Sequence, residues 1–195
     1  MVWDSSVTTS PDGSSRGIQG RLYSSDGGAA TDEFQINSYT VGDQSYPSVA
    51  ADPADRFVVV WHIANGFDAE DVYARTYNAD GTAISGDILV NSNTSEDQLN
   101  ASVAINDNGD FVVVWEQDSG NVDKKYDIYA RTFDISGTPL GGNQTRVNVE
   151  QLDQQLMHII GTAVGHFPFG QGPHALVGIQ LRRVGRKVLE LETRM

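Results

Sequence analysis

The sequence contains no cysteine, few basic residues and no long apolar segment, and each absence removes a class of function. Without cysteine there is no disulfide framework and no thiolate metal site. The 13 lysines and arginines are outnumbered by 26 acidic residues, which argues against binding to nucleic acid or to an anionic membrane surface. No apolar run approaches the roughly 20 residues that a membrane-spanning helix requires.

The first residues, MVWDSSVTT, also lack the charged and apolar regions of a secretory signal peptide. Such a start fits either a cytoplasmic protein or a piece of a longer exported chain, and the internal repeats favour the second. Charge is uneven as well: residues 1–150 hold 23 acidic and 8 basic side chains, whereas residues 151–195 hold 3 and 5. We therefore expect tandem repeats over 1–150. Over 151–195 we expect either a diverged or capping tail or a segment that is foreign to the repeat protein.

Internal repeats dominate the first of these regions. One motif reads IQGRLYSSDG, VYARTYNADG and IYARTFDISG, and its arginines are 54 and 56 residues apart. Another motif ends in FVVVW at Trp61 and Trp115, and the earlier Trp3 lies 58 residues before Trp61. Because separate motifs recur at nearly the same spacing, the chain repeats one structural unit about three times.

Each repeat contains four strand-like segments separated by turn-forming pairs such as Asp-Gly and Ser-Gly. The FVVVW run is continuously apolar, as expected for a strand covered on both faces. Four antiparallel strands per repeat predict an all-β fold of about three β-propeller-like blades, with the apolar strand nearest the central axis. A β-sandwich is the alternative fold. A β-solenoid fits less well, because solenoid repeats are usually much shorter.

Three segments identify the kind of repeat: SVAINDNGDFVVVW, DIYARTFDISGTPLGG and ILVNSNTSEDQ. This unit resembles a repeat of large bacterial secreted and surface proteins, which often accompanies hemolysin-type calcium-binding repeats. The resemblance covers about residues 1–150. It implies an exported, calcium-rich setting and an adhesive or scaffold role, and it implies no reaction.

The most suggestive metal-binding segment is a cluster of oxygen-bearing side chains around a turn glycine, formed by Asn106, Asp107, Asn108 and Asp110. Hard cations such as calcium prefer such ligands. The segment lacks the length of an EF-hand loop and its terminal glutamate. The alternative is a tight turn capped by Asn and Asp, which is favoured because the equivalent Asp52-Pro53-Ala54-Asp55 has two oxygen ligands fewer. We therefore expect either a calcium site or a structural turn here.

The residue after each tryptophan differs between repeats: it is Asp4, His62 or Glu116. In a propeller these three positions would converge near one mouth of the central channel. Two carboxylates and an imidazole are weak candidates for acid–base catalysis, for instance on a glycosidic bond. An exposed strand end that tolerates any polar residue is the alternative interpretation.

Other polar residues recur in every repeat, namely the pairs Asp43-Gln44, Asp97-Gln98 and Asp153-Gln154 and the asparagines Asn37, Asn91 and Asn148. Such recurrence is more typical of structural hydrogen bonds than of a site. In the tail, His158, His166 and His174 are each eight residues apart, a spacing that matches no metal motif.

The sequence thus predicts a non-enzymatic binding or structural module of an exported bacterial repeat protein. The alternatives are a hydrolase, most plausibly a glycosidase, and a calcium-dependent carbohydrate-binding protein. Three blades would leave two terminal faces with exposed apolar strands, which predicts a homodimer that closes a ring.

Overall fold

The computed structural model describes residues 1–5, 16–40, 42–64, 69–118, 126–147, 179–184 and 188–193. These residues form antiparallel strands and contain no helix, so none of them belongs to a helix that could cross a membrane. The chain divides into two compact units, Met1–Gly165 and His166–Met195. The all-β class predicted from the repeats is confirmed.

The described residues of the first unit form three antiparallel sheets, one for each sequence repeat. Sheet 1 contains β1 (Val2–Ser5), β2 (Gly17–Gly20) and β3 (Phe34–Gln35). Sheet 2 contains β4 (Asp43–Ala51), β5 (Phe57–Ala64), β6 (Asp71–Tyr77) and β7 (Ile88–Leu89). Sheet 3 contains β8 (Gln98–Ile105), β9 (Phe111–Asp118), β10 (Tyr126–Phe133) and β11 (Thr145–Val147). Within each sheet every strand pairs with the next strand in sequence.

The second unit contains an antiparallel hairpin of β12 (Ile179–Val184) and β13 (Val188–Thr193). Its register runs from Ile179 opposite Thr193 to Val184 opposite Val188.

Sheet 2 is buried on both faces, and each of its strands contributes to both because successive side chains point to opposite sides. We call the face that carries the tryptophan the leading face and the opposite face the trailing face. In β5 the leading face presents Val59 and Trp61, which pack with Ile18 and Ile36 of sheet 1. The trailing face presents Val60, which packs against sheet 3. The continuous apolar run is therefore explained by burial on both faces.

The joint between sheets 2 and 3 repeats this arrangement. Val60 and Val90 of the trailing face of sheet 2 pack with Val113 and Trp115 of the leading face of sheet 3. Trp61 and Trp115 are 0% and 1% exposed, respectively. In both joints, then, the leading face of one sheet covers the trailing face of the preceding sheet.

The FVVVW strand does not occupy the predicted position nearest an axis. β5 lies between β4 and β6, and β9 lies between β8 and β10, so both are interior strands. The physical reason is that an interior strand has both edges hydrogen-bonded as well as both faces covered. That position hides the most apolar segment from water most completely.

Two irregularities recur at fixed places in the repeats. The turn before the last strand of each sheet contains a glycine with positive φ, at Gly27, Gly81 and Gly137. The first strand of sheets 2 and 3 has a β-bulge, at which Tyr46 and Asn100 adopt φ values of 54° and 53°. A bulge bends the strand and re-aims its side chains, and here it does so beside the positions that vary most.

Candidate functional site

One end of the sheets carries different chemistry in each repeat. Three kinds of position meet there. The first is the residue after the tryptophan, and the second is the bulge residue of sheets 2 and 3. The third lies in or just before the strand that follows the tryptophan strand, two residues before the residue that is paired with the first. We call the residues at these positions the variable end: Asp4 and Arg16 in sheet 1, Tyr46, His62 and Glu70 in sheet 2, and Asn100, Glu116 and Tyr126 in sheet 3.

In sheet 2 the variable end is a compact cluster around a buried imidazole. His62 is only 4% exposed because it lies on the trailing face, beside sheet 3. Its Nε2 atom is 3.4 Å from Oε2 of Glu70. The ring of Tyr46 covers it, with ring centroids 4.8 Å apart, while Tyr46 itself remains 65% exposed. A buried polar ring thus supports an exposed aromatic ring.

Burial determines the ionisation of this cluster. Removing the imidazole from water disfavours its charged form and lowers the pKa of His62 to about 4. Burial also raises the pKa of Glu70, and the negative charge of Asp97 adds to that increase. Near neutral pH the contact is therefore made by a neutral imidazole and a carboxyl group. Among the described residues, Nδ1 of His62 has no hydrogen-bond partner.

In sheet 3 the corresponding residues form an acidic, hydrogen-bonded group. Asn100 donates from Nδ2 to Oε2 of Glu116 over 2.9 Å, so the bulge residue again contacts the residue after the tryptophan. Tyr126 is 41% exposed. Partial burial raises the pKa of its phenol, and carboxylates led by Asp118 and Asp97 contribute further. This part of the variable end is negatively charged.

Sheet 1 has a looser ion pair at the same place. The guanidinium of Arg16 lies 3.9 Å from the carboxylate of Asp4, and both side chains are partly exposed. Compared with sheet 2 the pair is reversed, because the basic Arg16 lies at the position of Glu70 and the acidic Asp4 at the position of His62.

The three residues predicted as weak catalytic candidates, Asp4, His62 and Glu116, lie at equivalent ends of their sheets. The polar contact described for each of them runs to a neighbour within its own sheet. Their catalytic role stays a prediction.

Five residues of the variable end were missed from sequence: Arg16, Tyr46, Glu70, Asn100 and Tyr126. A signal for Glu70 was available, because it aligns with Arg16 and Tyr126 at another position where the repeats differ. The bulge residues Tyr46 and Asn100 were harder to find. Only the backbone bulge brings each of them into contact with the side chain that follows the tryptophan in the neighbouring strand.

The predicted calcium segment forms a tight turn between β8 and β9. Oδ1 of Asn106 accepts hydrogen bonds from the backbone N–H groups of Asn108 and Asp110, at 2.9 and 2.8 Å. Asp107 and Asn108 are exposed. Asn106 thus acts as a turn cap, Asp107 lies at the surface and Asp110 is half-buried. Calcium binding by Asn106, Asp107, Asn108 and Asp110 stays a prediction.

The equivalent turn of sheet 2 has the same hydrogen bonds to the backbone and adds an arginine. Oδ1 of Asp52 accepts from the N–H groups of Ala54 and Arg56, and Oδ2 lies 2.6 Å from the Arg56 guanidinium. Arg56 also donates to the carbonyl oxygen of Asp107 over 3.4 Å. No group of three or more histidine, aspartate or glutamate side chains suited to a metal exists within the described part of the chain.

The recurring polar residues stabilise the scaffold, as predicted. Oδ1 of Asn37 accepts from the N–H of Ile18, and Oδ1 of Asn91 accepts from the N–H of Val72, each over 2.8 Å. Gln98 is fully buried and accepts from the indole N–H of Trp115. The predictions for Asn148, for Asp153-Gln154 and for His158, His166 and His174 fall outside the described residues.

The geometry defines a class of protein: an all-β chain of antiparallel sheets joined face to face, with a variable end. Comparison with known proteins adds no family, since no family model matches the chain and no curated protein matches it.

Proposed function

We propose that this chain is a non-enzymatic binding or structural module of an exported bacterial repeat protein, and that the variable end is its ligand-facing surface. One observation carries the proposal. The polar residues that recur between repeats, such as Asn37, Asn91 and Gln98, bond to the scaffold. The residues that differ between repeats cluster at one end of the sheets, where a ligand could distinguish them.

The joining of the sheets supports a β-propeller-like arrangement. Each four-stranded sheet is an up-and-down meander, and sheet 2 is covered on one face by sheet 1 and on the other by sheet 3. Equivalent strand ends of successive blades form a shared surface in such an architecture. A binding surface built from several blades would combine the chemistries of Asp4, His62 and Glu116.

Tyr46 points to carbohydrate as the ligand class. Its ring is exposed and fixed in position by the imidazole beneath it. A rigid aromatic ring offers a large contact area at low entropic cost, and its hydroxyl offers a polar contact. The carboxyl and amide groups of Glu70, Asn100 and Glu116 supply further acceptors and donors for hydroxyl groups.

Calorimetric titration against a panel of oligosaccharides tests this proposal. Tyr46→Asn is the informative variant, because asparagine occupies the equivalent bulge position at residue 100 and tolerates positive φ. We expect a loss of affinity of at least about tenfold, corresponding to about 1.4 kcal/mol. Tyr23→Ser, at the opposite end of sheet 1, is the control and should bind normally. Equal affinity of both variants and the parent protein for every ligand bound would contradict the proposal.

A hydrolase is the second candidate, and one contact favours it. Glu70, whose pKa is raised, lies beside the neutral imidazole of His62. A carboxyl group with a raised pKa is suited to protonating a leaving group, with a second carboxylate such as Glu116 acting as base or nucleophile.

Chromogenic glycosides and esters test the second candidate. Turnover should be abolished by Glu116→Gln and by Glu70→Gln, since each change removes an ionisable carboxyl group and keeps its shape. Glu33→Gln, an exposed glutamate away from the variable end, is the matched control. Activity that survives both substitutions would remove these residues from consideration.

A further inference from the structure

A second exposed aromatic ring lies in the connection between β3 of sheet 1 and β4 of sheet 2. This ring belongs to Tyr39, which is 44% exposed. The connection leads to the start of β4 at Asp43, which is paired with Ala64 and thus lies beyond His62 along β5. Tyr39 is therefore at the same end of the sheets as the variable end, although it occupies none of the three positions that define that surface.

Stacked rings on the leading face of sheet 2 support Tyr39. Its ring is nearly parallel to that of Tyr73, with an interplanar angle of 6° and centroids 6.5 Å apart. Tyr73 stacks in turn on the buried Trp61, with centroids 6.4 Å apart and an angle of 18°. This stack of three rings is anchored in the core at Trp61 and reaches solvent at Tyr39.

The backbone of Tyr39 is also fixed in position. Its N–H donates to Oδ2 of Asp87 over 2.8 Å, and its carbonyl oxygen accepts from Nδ2 of Asn37 over 2.8 Å. Asp87 directly precedes β7 of sheet 2, whereas Asn37 follows β3 of sheet 1, so both sheets hold the residue. A ring that is fixed before a ligand arrives loses little conformational entropy on binding.

The next repeat shows that the fold does not require a tyrosine at this position. Asn93 is the counterpart of Tyr39, and its carbonyl oxygen accepts from Nδ2 of Asn91 over the same distance of 2.8 Å. Its N–H likewise donates to a side chain that precedes an outer strand, that of Gln144. Oδ1 of Asn93 caps its own turn by accepting from the N–H of Ser95 over 3.0 Å. The two connections thus share their backbone hydrogen bonds and differ in this side chain.

The two exposed tyrosines change together from one repeat to the next. Asn100 replaces Tyr46 at the bulge, and Asn93 replaces Tyr39 in the connection. One repeat therefore has two exposed rings where the following repeat has two amides. Tyr39 meets the same criterion as the residues of the variable end, because it differs between repeats on a backbone that does not.

One strand supports both rings. Tyr46 covers His62, and the stack that ends in Tyr39 begins at Trp61. Trp61 and His62 are consecutive residues of β5, so their side chains point to opposite faces of sheet 2. Because β5 is an interior strand with both edges hydrogen-bonded, it fixes the positions of the two rings relative to each other.

We propose that Tyr39 is a second stacking site for carbohydrate, and that the ligand is an extended neutral oligosaccharide that contacts both Tyr39 and Tyr46. The proposal rests on the carbohydrate binding proposed for the variable end. An aromatic ring offers an apolar surface to the C–H groups of a sugar ring. A neutral ligand fits the net charge of −13, which would repel an acidic polysaccharide. Two linked contacts strengthen binding, because the second forms at a high effective concentration.

Calorimetric titration with oligosaccharides of two lengths tests the proposal. The probes are the disaccharides and hexasaccharides of cellulose, amylose and mannan. For a hexasaccharide that the parent protein binds, Tyr39→Asn should lower the affinity at least about tenfold, and it should change the affinity for the disaccharide less than about threefold. Tyr39→Phe keeps the ring and should bind like the parent protein. Tyr23→Ser is the matched control, because Tyr23 is 45% exposed and lies at the opposite end of sheet 1.

The results separate this proposal from the proposed function. If Tyr46→Asn weakens binding and Tyr39→Asn does not, the second site is wrong and carbohydrate binding at Tyr46 stands. The same conclusion follows if Tyr39→Asn weakens binding of both lengths equally. If the parent protein binds none of the saccharides, both proposals are wrong.

Chemical modification of the parent protein provides a test that needs no variant. Tetranitromethane nitrates accessible tyrosine rings, and peptide mapping identifies each modified residue. An excess of the bound hexasaccharide should slow the nitration of Tyr39 and Tyr46 and leave that of Tyr23 unchanged. Protection of Tyr46 without protection of Tyr39 would overturn the second site.

Discussion

At the scale of single residues, two turn glycines allow the cost of backbone strain to be separated from the cost of steric overlap. Gly27 and Gly137 occupy the same turn position, with φ values of 85° and 87°. A side chain at Gly27 would meet nothing, whereas a side chain at Gly137 would collide with Ile88 of sheet 2. Ile88 packs against the core between sheets 2 and 3 and cannot move freely.

We therefore expect Gly27→Ala to cost about 1–2 kcal/mol through backbone strain alone. Gly137→Ala should cost about 1–3 kcal/mol more, because it also overpacks the joint. Gly142→Ala, at a position with ordinary φ and open space, is the control and should be nearly neutral. Urea unfolding of the three variants measures the difference. Equal losses at Gly27 and Gly137 would contradict the collision with Ile88.

The buried imidazole of His62 makes stability depend on pH. Its pKa is about 4 in the folded protein and 6.5 in an exposed chain, so between these values the unfolded state takes up a proton and the folded state does not. Stability should therefore fall as pH decreases from about 6.5 to about 4, by about 3 kcal/mol at most. The raised pKa of Glu70 acts in the opposite direction, because its folded form takes up a proton more readily.

Denaturant unfolding across this pH range measures the effect. His62→Gln should flatten the decrease in stability with falling pH. Glu70→Gln should make this decrease steeper, because it removes the opposing contribution of the Glu70 carboxyl group. A pH dependence that is unchanged in His62→Gln would show that other groups govern it.

At the scale of strands and turns, the recurring asparagine connects the end of the fourth strand to the third. Asn91 accepts from the N–H of Val72 and donates from Nδ2 to the carbonyl oxygen of Asn93. Asn91→Ala would leave a buried N–H without a partner and should cost about 1–3 kcal/mol. Asn78→Ala, which removes an exposed hydrogen bond to Thr82, should cost less than about 0.5 kcal/mol. Similar losses in thermal unfolding would contradict the structural role of Asn91.

The strands themselves were predictable because their cause is local. The four segments of each repeat, the two-sided burial of FVVVW and the turn glycines all follow from apolar pattern and turn chemistry. The order of strands in the sheet was not predictable in the same way. Whether FVVVW lies inside or at an edge depends on its pairing with β4 and β6, which the apolar pattern of one strand does not encode.

The variable end was only half predictable for a related reason. His62 and Glu116 could be found because they follow a landmark tryptophan in the repeat. Tyr46 and Asn100 could not, because a register shift in another strand brings them into contact with those residues. A bulge involving non-glycine residues with positive φ leaves little trace in composition.

At the scale of the whole molecule, the calcium hypothesis makes a thermal prediction. An ion that binds only the folded state raises the melting temperature with its concentration. Added calcium should do so if it binds the turn at Asp107, and Asp107→Asn should remove the increase. Asp55→Asn, in the equivalent turn of sheet 2, is the matched control. Identical melting curves in calcium and in chelator would leave the turn with a structural role alone.

Alternate residues of β5 belong to different joints, and this restricts how the chain can change in length. Deleting one residue from β5 would exchange its two faces and disrupt the contacts with sheets 1 and 3 at once. Inserting one complete repeat, such as the 54 residues from Trp61 to Trp115, would keep each side chain on its present face of the sheet. The architecture therefore accommodates lengthening by whole repeats, and an engineered array could be extended one repeat at a time.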